Sequence, residues 1–198
     1  MTMLAYHTVH AQYLMTPKCA GTSILTRMYR LDALPVEEVH REAHKHLKPW
    51  RPKGPPTFAV VRHPWRRFVS TWKNKVHSPH SHDTRLLKLG APKGCDIDTF
   101  CKFVLAMDDQ ERENEVHLRP QHMYLPEDRD GINVMVFEDL PVCWKRAGYQ
   151  QLWGGLPMRN HTRHVDAPTS SRFRRHIEYM YRKDMSLWLD VFGDLDEA

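Results

Sequence analysis

Residues 11–31 decide the fold, and they read AQYLMTPKCAGTSILTRMYRL. Ala11 to Met15 is predicted to form a strand, and apolar residues at helical spacing predict a helix from Thr22 to about Leu31. A short connection, residues 16–23, joins the two elements. In an α/β fold, such a connection presents backbone N–H groups and the N-terminus of a helix to an anion.

The residue types in this connection suit anion binding. Lys18 supplies a positive charge, and Gly21 lets the backbone approach a ligand closely. Thr22 and Ser23 add hydroxyl donors. The pattern is not a Walker A loop, because that motif places Lys after its second Gly, whereas Lys18 precedes the single Gly here. On this pattern alone, an ordinary strand–helix turn capped by Thr or Ser stays an alternative.

A second strand–helix unit follows at residues 57–76. Thr57 to Val61 predicts a short strand buried in a parallel sheet, and Pro64 suits the first turn of the next helix. Arg62 ends the strand at the carboxyl edge, where α/β sheets bind ligands, and its guanidinium can fork onto a phosphate. Ser70, about two turns into the helix, can donate to the same group. A solvated Arg and a routine helix Ser are the alternative.

The rest of the chain continues this alternation. A third strand is predicted from Asn133 to Phe137, Asp98 is predicted to cap a helix, and Ser170 or Ser171 is predicted to open a last helix. Strands separated by helices indicate an α/β fold. We therefore expect a single domain over residues 1–198, with three layers and a central parallel sheet flanked by helices.

Composition narrows the class of protein. The chain has 198 residues, of which 41% are hydrophobic and 27% charged, and this excludes a disordered chain, collagen and a disulfide scaffold. The 29 Lys and Arg against 24 Asp and Glu give a net charge of +5, which favours anionic partners. No apolar run reaches the roughly 18 residues of a membrane span, and the N-terminus lacks a signal-peptide pattern. The four cysteines form no C-x-x-C pair, so we expect reduced thiols in a cytoplasmic protein.

The two strand–helix motifs, taken together, resemble a known family. Pro-Lys-x-x-Gly-Thr-Ser at residues 17–23, and Val-Arg-x-Pro at residues 61–64 with Ser70 eight residues past the Arg, are similar to the sulfotransferases that use 3′-phosphoadenosine 5′-phosphosulfate (PAPS). The likeness is in particular to the carbohydrate branch, sulfotransferase family 2. Further similarities are His-Leu-Arg-Pro-Gln at 117–121, Phe-Glu-Asp-Leu at 137–140, Asn-His-Thr at 160–162 and Tyr-Arg-Lys-Asp at 181–184.

The resemblance implies a donor site with PAPS as co-substrate on a P-loop-like strand–loop–helix. Lys18 and the backbone through Ser23 are expected to hold the 5′-phosphosulfate. The residues between them are Cys19, Ala20, Gly21 and Thr22. Arg62 and Ser70 are expected to hold the 3′-phosphate. The sulfuryl group is expected to pass by in-line displacement with Lys18 at the leaving oxygen, without a metal.

The acceptor hydroxyl needs a base, and the resemblance points to a histidine between the first helix and the second strand. His40, His44 and His46 lie in this interval. A His-x-His pair occurs there in some family members, so His46 is the preferred base and His44 the second choice. His117 and Gln121, four residues apart, are expected to contact the acceptor.

The acceptor is predicted to be a carbohydrate or another hydroxyl-bearing molecule, with neither nucleic acid nor a membrane anchor involved. Two other functions stay open. One is a nucleotide-dependent phosphotransferase on a related α/β fold, which needs ATP and Mg²⁺, and the other is a non-catalytic module that binds anionic glycans. His77, His80 and His82 have neither H-x-x-x-H spacing nor a Cys partner, so no metal site is predicted.

Overall fold

A computed structural model describes residues 3–78, 85–157 and 169–196. Its contacts group the chain into two compact units. The first unit comprises residues 1–62, 121–161 and 188–198, and the second comprises residues 63–120 and 162–187. The sheet lies wholly in the first unit.

The sheet has five strands in the order β3-β1-β2-β4-β5. The strands are β1 Leu4–His7, β2 Gln12–Leu14, β3 Leu47–Pro49, β4 Thr57–Val61 and β5 Ile132–Val136. β2, β4 and β5 run parallel, whereas β1 is antiparallel to both β2 and β3. The α/β prediction and its three strands are confirmed, and an antiparallel edge is added to the parallel sheet. Edge strand β3 ends in Pro49, which an edge tolerates because no ladder partner needs its missing N–H.

Helices occupy most of the remaining described chain. They are α1 Gly21–Met28, α2 Val36–Ala43, α3 Pro64–Trp72, α4 Arg85–Lys88, α5 Ile97–Ala106, α6 Asp109–Asn114, α7 Leu140–Arg146, α8 Tyr149–Trp153, α9 Ser171–Met180 and α10 Arg182–Asp196. Short 3₁₀ segments span His44–His46, Gln121–Tyr124 and Phe137–Asp139, and a π-helical turn, Lys73–His77, extends α3. Within the described ranges, no helix is long and apolar enough to cross a membrane.

Helix α1 stops one turn before the predicted Leu31. Arg30 adopts a left-handed conformation with φ of 55°, and the Leu31 N–H donates to the carbonyl of Thr26 at 2.8 Å. This is the geometry of a Schellman motif, which closes a helix by satisfying its last carbonyls. The apolar Leu31 therefore continues the helical spacing without belonging to the helix.

Two predicted helix starts have different outcomes. Ser170 is the N-cap of α9, as predicted, but α9 is not the last helix, because α10 follows it. The predicted cap Asp98 is wrong, because Asp96 is the N-cap of α5 and accepts the Thr99 N–H at 2.7 Å. Asp98 lies in the first turn of α5 and accepts the Thr169 hydroxyl at 2.5 Å.

Each unit has its own aromatic core. In the first unit, Phe58 stacks on Tyr13 with ring centroids 4.9 Å apart and meets the rings of α7 and α8. In the second unit, the Phe68 ring lies 5.0 Å from that of Phe100. Burying one such side chain contributes about 1.5–3 kcal/mol, so these clusters fix the elements that carry the site.

Candidate functional site

The connection between β2 and α1 is held in an unusual backbone conformation. Lys18 and Ala20 have φ of 72° and 61°, both in the left-handed region that side chains with a Cβ rarely adopt. Such strain persists only where the surroundings impose it, and it clusters at ligand sites. Alternating conformations of this kind turn successive N–H groups toward one point and create an anion-binding concavity.

Helix α1 adds its N-terminus to this loop. The first intrahelical hydrogen bond runs from the Ile24 N–H to the Ala20 carbonyl at 3.1 Å, so Gly21 and Thr22 precede it and their N–H groups have no acceptor within the helix. No acidic residue lies in the first turn. The positive end of the helix dipole therefore faces this loop, and no carboxylate of that first turn neutralises it.

Gly21 packs closely against the side chain of Met15. A Cβ built on Gly21 would lie 2.9 Å from Sδ and 3.4 Å from Cγ of Met15, at the end of β2. The backbone at the start of α1 therefore lies directly against the strand end.

The loop is tied to the end of the neighbouring strand β4. The Thr16 hydroxyl donates to the Val60 carbonyl at 2.5 Å, and Nη1 of Arg62 donates to the carbonyl of Lys18 at 3.2 Å. The Arg62 guanidinium also lies over the Phe137 ring, 4.1 Å from its centroid. The structure thus brings Lys18 and Arg62 together at the carboxyl edge of the parallel strands.

Cys19 of this loop and Gln121, which its side chain contacts, are both fully buried. The Cys19 thiol donates to Oε1 of Gln121 at 3.3 Å, so the cysteine side chain points inward and only its backbone is available to a ligand. Gln121 was predicted to contact the acceptor. Its side-chain amide is instead committed to the backbone of Arg62, through bonds of 2.9 and 2.8 Å. It therefore holds the two ligand-facing segments together and is not accessible to an acceptor.

His40 is the histidine that reaches the start of α1. Its Nε2 lies 2.9 Å from the Thr22 hydroxyl. His40 lies on α2 and is exposed to solvent. The sequence placed His40 in the right interval but gave no spacing signal for it, because the contact arises from the packing of α2 on α1.

His46 and His44 do not lie beside the Lys18 loop. Leu47 pairs with Tyr6, which pairs with Tyr13, so His46 is level with the amino end of β2. Four residues of extended chain, roughly 13 Å, separate that level from Thr16 at the other end. The His46 ring stacks on Tyr29, 4.3 Å between centroids. His46, the preferred base, therefore lies at the amino ends of the parallel strands, opposite the Lys18 loop at their carboxyl ends. The exposed His44 lies in the same 3₁₀ segment.

The other predicted site residues belong to the second unit. Ser70 lies on α3 with 9% of its surface exposed, and its pairing with Arg62 stays a prediction. His117 is oriented by Glu115, whose Oε1 accepts both the Nδ1–H and the backbone N–H of His117, at 2.9 and 3.0 Å. Burial acts to raise the pKa of Glu115, but the hydrogen bonds from His117 outweigh it and hold the pKa below its usual value.

Within residues 3–78, 85–157 and 169–196, no group of three or more His, Cys, Asp or Glu side chains could hold a metal ion. His80, His82 and the Asn-His-Thr similarity at residues 160–162 fall outside the described residues.

One comparison with known proteins gives a match. Residues 6–140, more than half of the chain, match the family model described as "Sulfotransferase family". No curated protein and no solved structure matches the chain. The matched residues include the Lys18 loop, Arg62, His40 and Gln121.

Proposed function

The chain belongs to the sulfotransferase family, and from that premise we propose that it transfers a sulfuryl group from PAPS to a hydroxyl of a carbohydrate-like acceptor. Membership of the family supports sulfuryl transfer as the reaction. The donor, the acceptor class and the base are our proposal, and they rest on the site residues.

The contact between Arg62 and the Lys18 carbonyl is the observation that carries the proposal. It places two cationic residues, a left-handed loop and a helix N-terminus at one edge of the sheet. A donor with several anionic groups fits this arrangement, because each group can meet N–H donors or a cation in a fixed position. The donor supplies an activated sulfuryl group and a phosphate leaving group.

We assign the 5′-phosphosulfate to the Lys18 loop. The N–H groups from Cys19 to Ser23 are prearranged by the left-handed residues Lys18 and Ala20, so they need no reorganisation during the reaction. The Lys18 ammonium stabilises the negative charge that grows on the leaving oxygen. These donors perform the charge stabilisation without a metal in our proposal.

We assign the 3′-phosphate to Arg62, with Ser70 as a further donor. The Phe137 ring and the Lys18 carbonyl hold the guanidinium at the strand end. A guanidinium fixed there presents a planar cationic fork, the geometry that matches a phosphate.

We assign the base to His40 in preference to His46 and His44. The 2.9 Å contact with Thr22 holds the imidazole beside the loop, and the exposed position of His40 admits an acceptor from solvent. A neutral imidazole can then take the proton of the acceptor hydroxyl as that oxygen attacks.

Two experiments test the function. Thermal shift with 3′-phosphoadenosine 5′-phosphate (PAP), with ATP plus Mg²⁺ and with heparin should show stabilisation by PAP above the other two. Incubation with ³⁵S-labelled PAPS and a panel of glycans should label at least one glycan, and the Lys18→Ala protein should label it roughly 10²-fold more slowly. Stabilisation by ATP plus Mg²⁺ and not by PAP would contradict the donor assignment and favour a phosphotransferase.

A further inference from the structure

A second cavity lies in the first unit, at the amino ends of β2 and β4. It has a volume of about 750 Å³ and lies at the sheet edge opposite the Lys18 loop. Its lining comes from the β1–β2 turn, the end of α1, and the chain between the 3₁₀ segment His44–His46 and β4. The proposed donor site uses none of these residues.

The lining is strongly basic. Lys48, Arg51 and Lys53 contribute three permanent positive charges, His7 and His46 add two imidazoles, and no acidic residue lines the cavity. Among the residues that the structure describes, no carboxylate lies within ion-pair distance of the three cations. Glu42, the acidic group near His46, is bound to Lys45 at 2.7 Å. The charge of the cavity is therefore not neutralised from within this part of the chain.

The segment that carries these cations is rigidly held. Gln12, fully buried, accepts the Arg51 N–H at 3.0 Å and donates to the carbonyls of Arg51 and Pro55, both at 2.9 Å. A Cβ on Gly54 would meet Nε2 of Gln12 at 2.6 Å, so the turn closes directly on this side chain. A buried amide thus prearranges an exposed cationic turn, which lowers the entropy cost of binding a ligand there.

One wall of the cavity carries a stacked pair of rings. The His46 and Tyr29 rings lie 4.3 Å apart at 13°, and the Tyr29 hydroxyl donates to the His7 carbonyl at 3.1 Å. Such a pair offers a flat face beside the cations.

We propose that this basic cavity binds an anionic segment of a glycan, through sulfate or carboxylate groups, as a holding site away from the reacting hydroxyl. The volume falls in the range of about 300–1,000 Å³ typical of small-ligand sites, which suits a short oligosaccharide. Cations on a fixed turn match anionic groups on successive sugars, and the flat ring face suits a sugar ring. The role as a holding site for the acceptor rests on the proposed function, whereas the binding of the anionic glycan does not.

The test is calorimetry with a heparin tetrasaccharide on the full chain. The variant K48Q/R51Q/K53Q should bind at least about tenfold more weakly than the wild type, because it loses charge-assisted hydrogen bonds. The control K93Q/K145Q/R146Q removes the same charge from exposed positions elsewhere. Its affinity for the tetrasaccharide should fall by less than about threefold. If the triple variant does not fold, R51Q is used alone, and its affinity for the tetrasaccharide should fall about threefold or more.

Equal losses of tetrasaccharide affinity in the two triple variants, or no tetrasaccharide binding by the wild type, would overturn the proposed site. A single-stranded oligonucleotide of matched charge that binds the cavity more tightly than the tetrasaccharide would overturn the glycan assignment.

PAP binding separates this proposal from the donor site: the cavity variant should bind PAP as the wild type does. Lys18→Ala should slow sulfate transfer by roughly 10²-fold or more and leave the affinity for the tetrasaccharide unchanged. Failure of PAP to bind the wild type would contradict the proposed function and leave the tetrasaccharide result standing.

Discussion

Gln121 and Arg62 are joined by a reciprocal pair of hydrogen bonds. The Arg62 N–H donates to Oε1 of Gln121 at 2.9 Å, and Nε2 of Gln121 donates to the Arg62 carbonyl at 2.8 Å. The side-chain amide thus satisfies both backbone groups at the point where β4 ends. Because Oε1 also accepts the Cys19 thiol, one buried side chain connects the two segments assigned to the donor.

Gln121→Ala should weaken PAP binding although Gln121 does not face the ligand. The substitution leaves the Arg62 N–H and carbonyl without partners, at a cost of about 1–3 kcal/mol for each group that stays buried. We expect lower stability in urea and PAP affinity reduced about tenfold. Gln151→Ala, at an exposed position on α8, is the control. A folded Gln121→Ala protein with wild-type PAP affinity would count against the positioning role.

Arg62→Ala should weaken PAP binding by roughly 10- to 100-fold, the equivalent of one lost charge-assisted hydrogen bond or slightly more. Adenosine 5′-phosphosulfate lacks the 3′-phosphate, so its affinity should change much less. Arg62→Lys keeps the charge but loses the fork and should recover only part of the affinity. Calorimetry with both nucleotides measures the difference, and equal losses for the two would show that Arg62 does not bind the 3′-phosphate.

Lys18→Ala should reduce kcat more than it weakens donor binding. The ammonium meets an oxygen whose charge grows in the transition state, so its contribution is differential. We expect kcat to fall by roughly 10²-fold or more, on the scale of losing an oxyanion donor. Ala keeps a Cβ at this left-handed position, so the change removes charge without relaxing the backbone. An effect confined to KM in steady-state assays contradicts this role.

His40→Ala should lower sulfate transfer by about 10²-fold or more and leave PAP binding nearly intact. The acidic limb of the pH–rate profile should disappear, because that limb reports protonation of the base. His44→Ala is the matched control and should retain most of the rate, and His46→Ala should retain most of its kcat at saturating acceptor. A large loss in His46→Ala with near-normal transfer by His40→Ala would reverse the assignment.

Glu115→Gln should destabilise the protein in a pH-dependent way. The pKa of Glu115 lies below its usual value, because hydrogen bonds from His117 outweigh burial. The unfolded chain therefore binds more protons on this group, so its stabilisation is present above about pH 4.3 and is lost as the pH falls toward the folded pKa. The variant should lose about 1–3 kcal/mol at neutral pH and show a flatter acid decline. Urea unfolding between pH 3 and 7 measures both, and parallel curves for the two proteins would contradict the prediction.

The sequence by itself predicted the elements whose signals are local. The strand at residues 57–61 contains an unbroken apolar run at residues 58–61. Lys18, with Gly21, Thr22 and Ser23, occupies the turn between a strand and a helix. The proximity of Lys18 and Arg62 also followed from sequence, because the carboxyl ends of parallel strands meet at one edge of a sheet.

Edge strands β1 and β3 carried no such signal. Residues 4–7 and 47–49 are short and mixed in polarity, and they become strands only by pairing with each other and with β2. That pairing decides the place of His46, because a residue directly before β3 must lie at the amino edge of the sheet.

Tertiary structure alone decided which polar side chains meet. His40 contacts Thr22 across 18 residues of chain, and Gln121 contacts Arg62 across 59. Hydrogen bonds depend on distances of about 3 Å and on direction, which spacing along the chain does not encode once the partners lie on separate elements. The central strand β4 and the helix after the Lys18 loop are set by the pattern of their own residues, whereas the edge strands, the proposed base and the buried amide are set by the packing between elements.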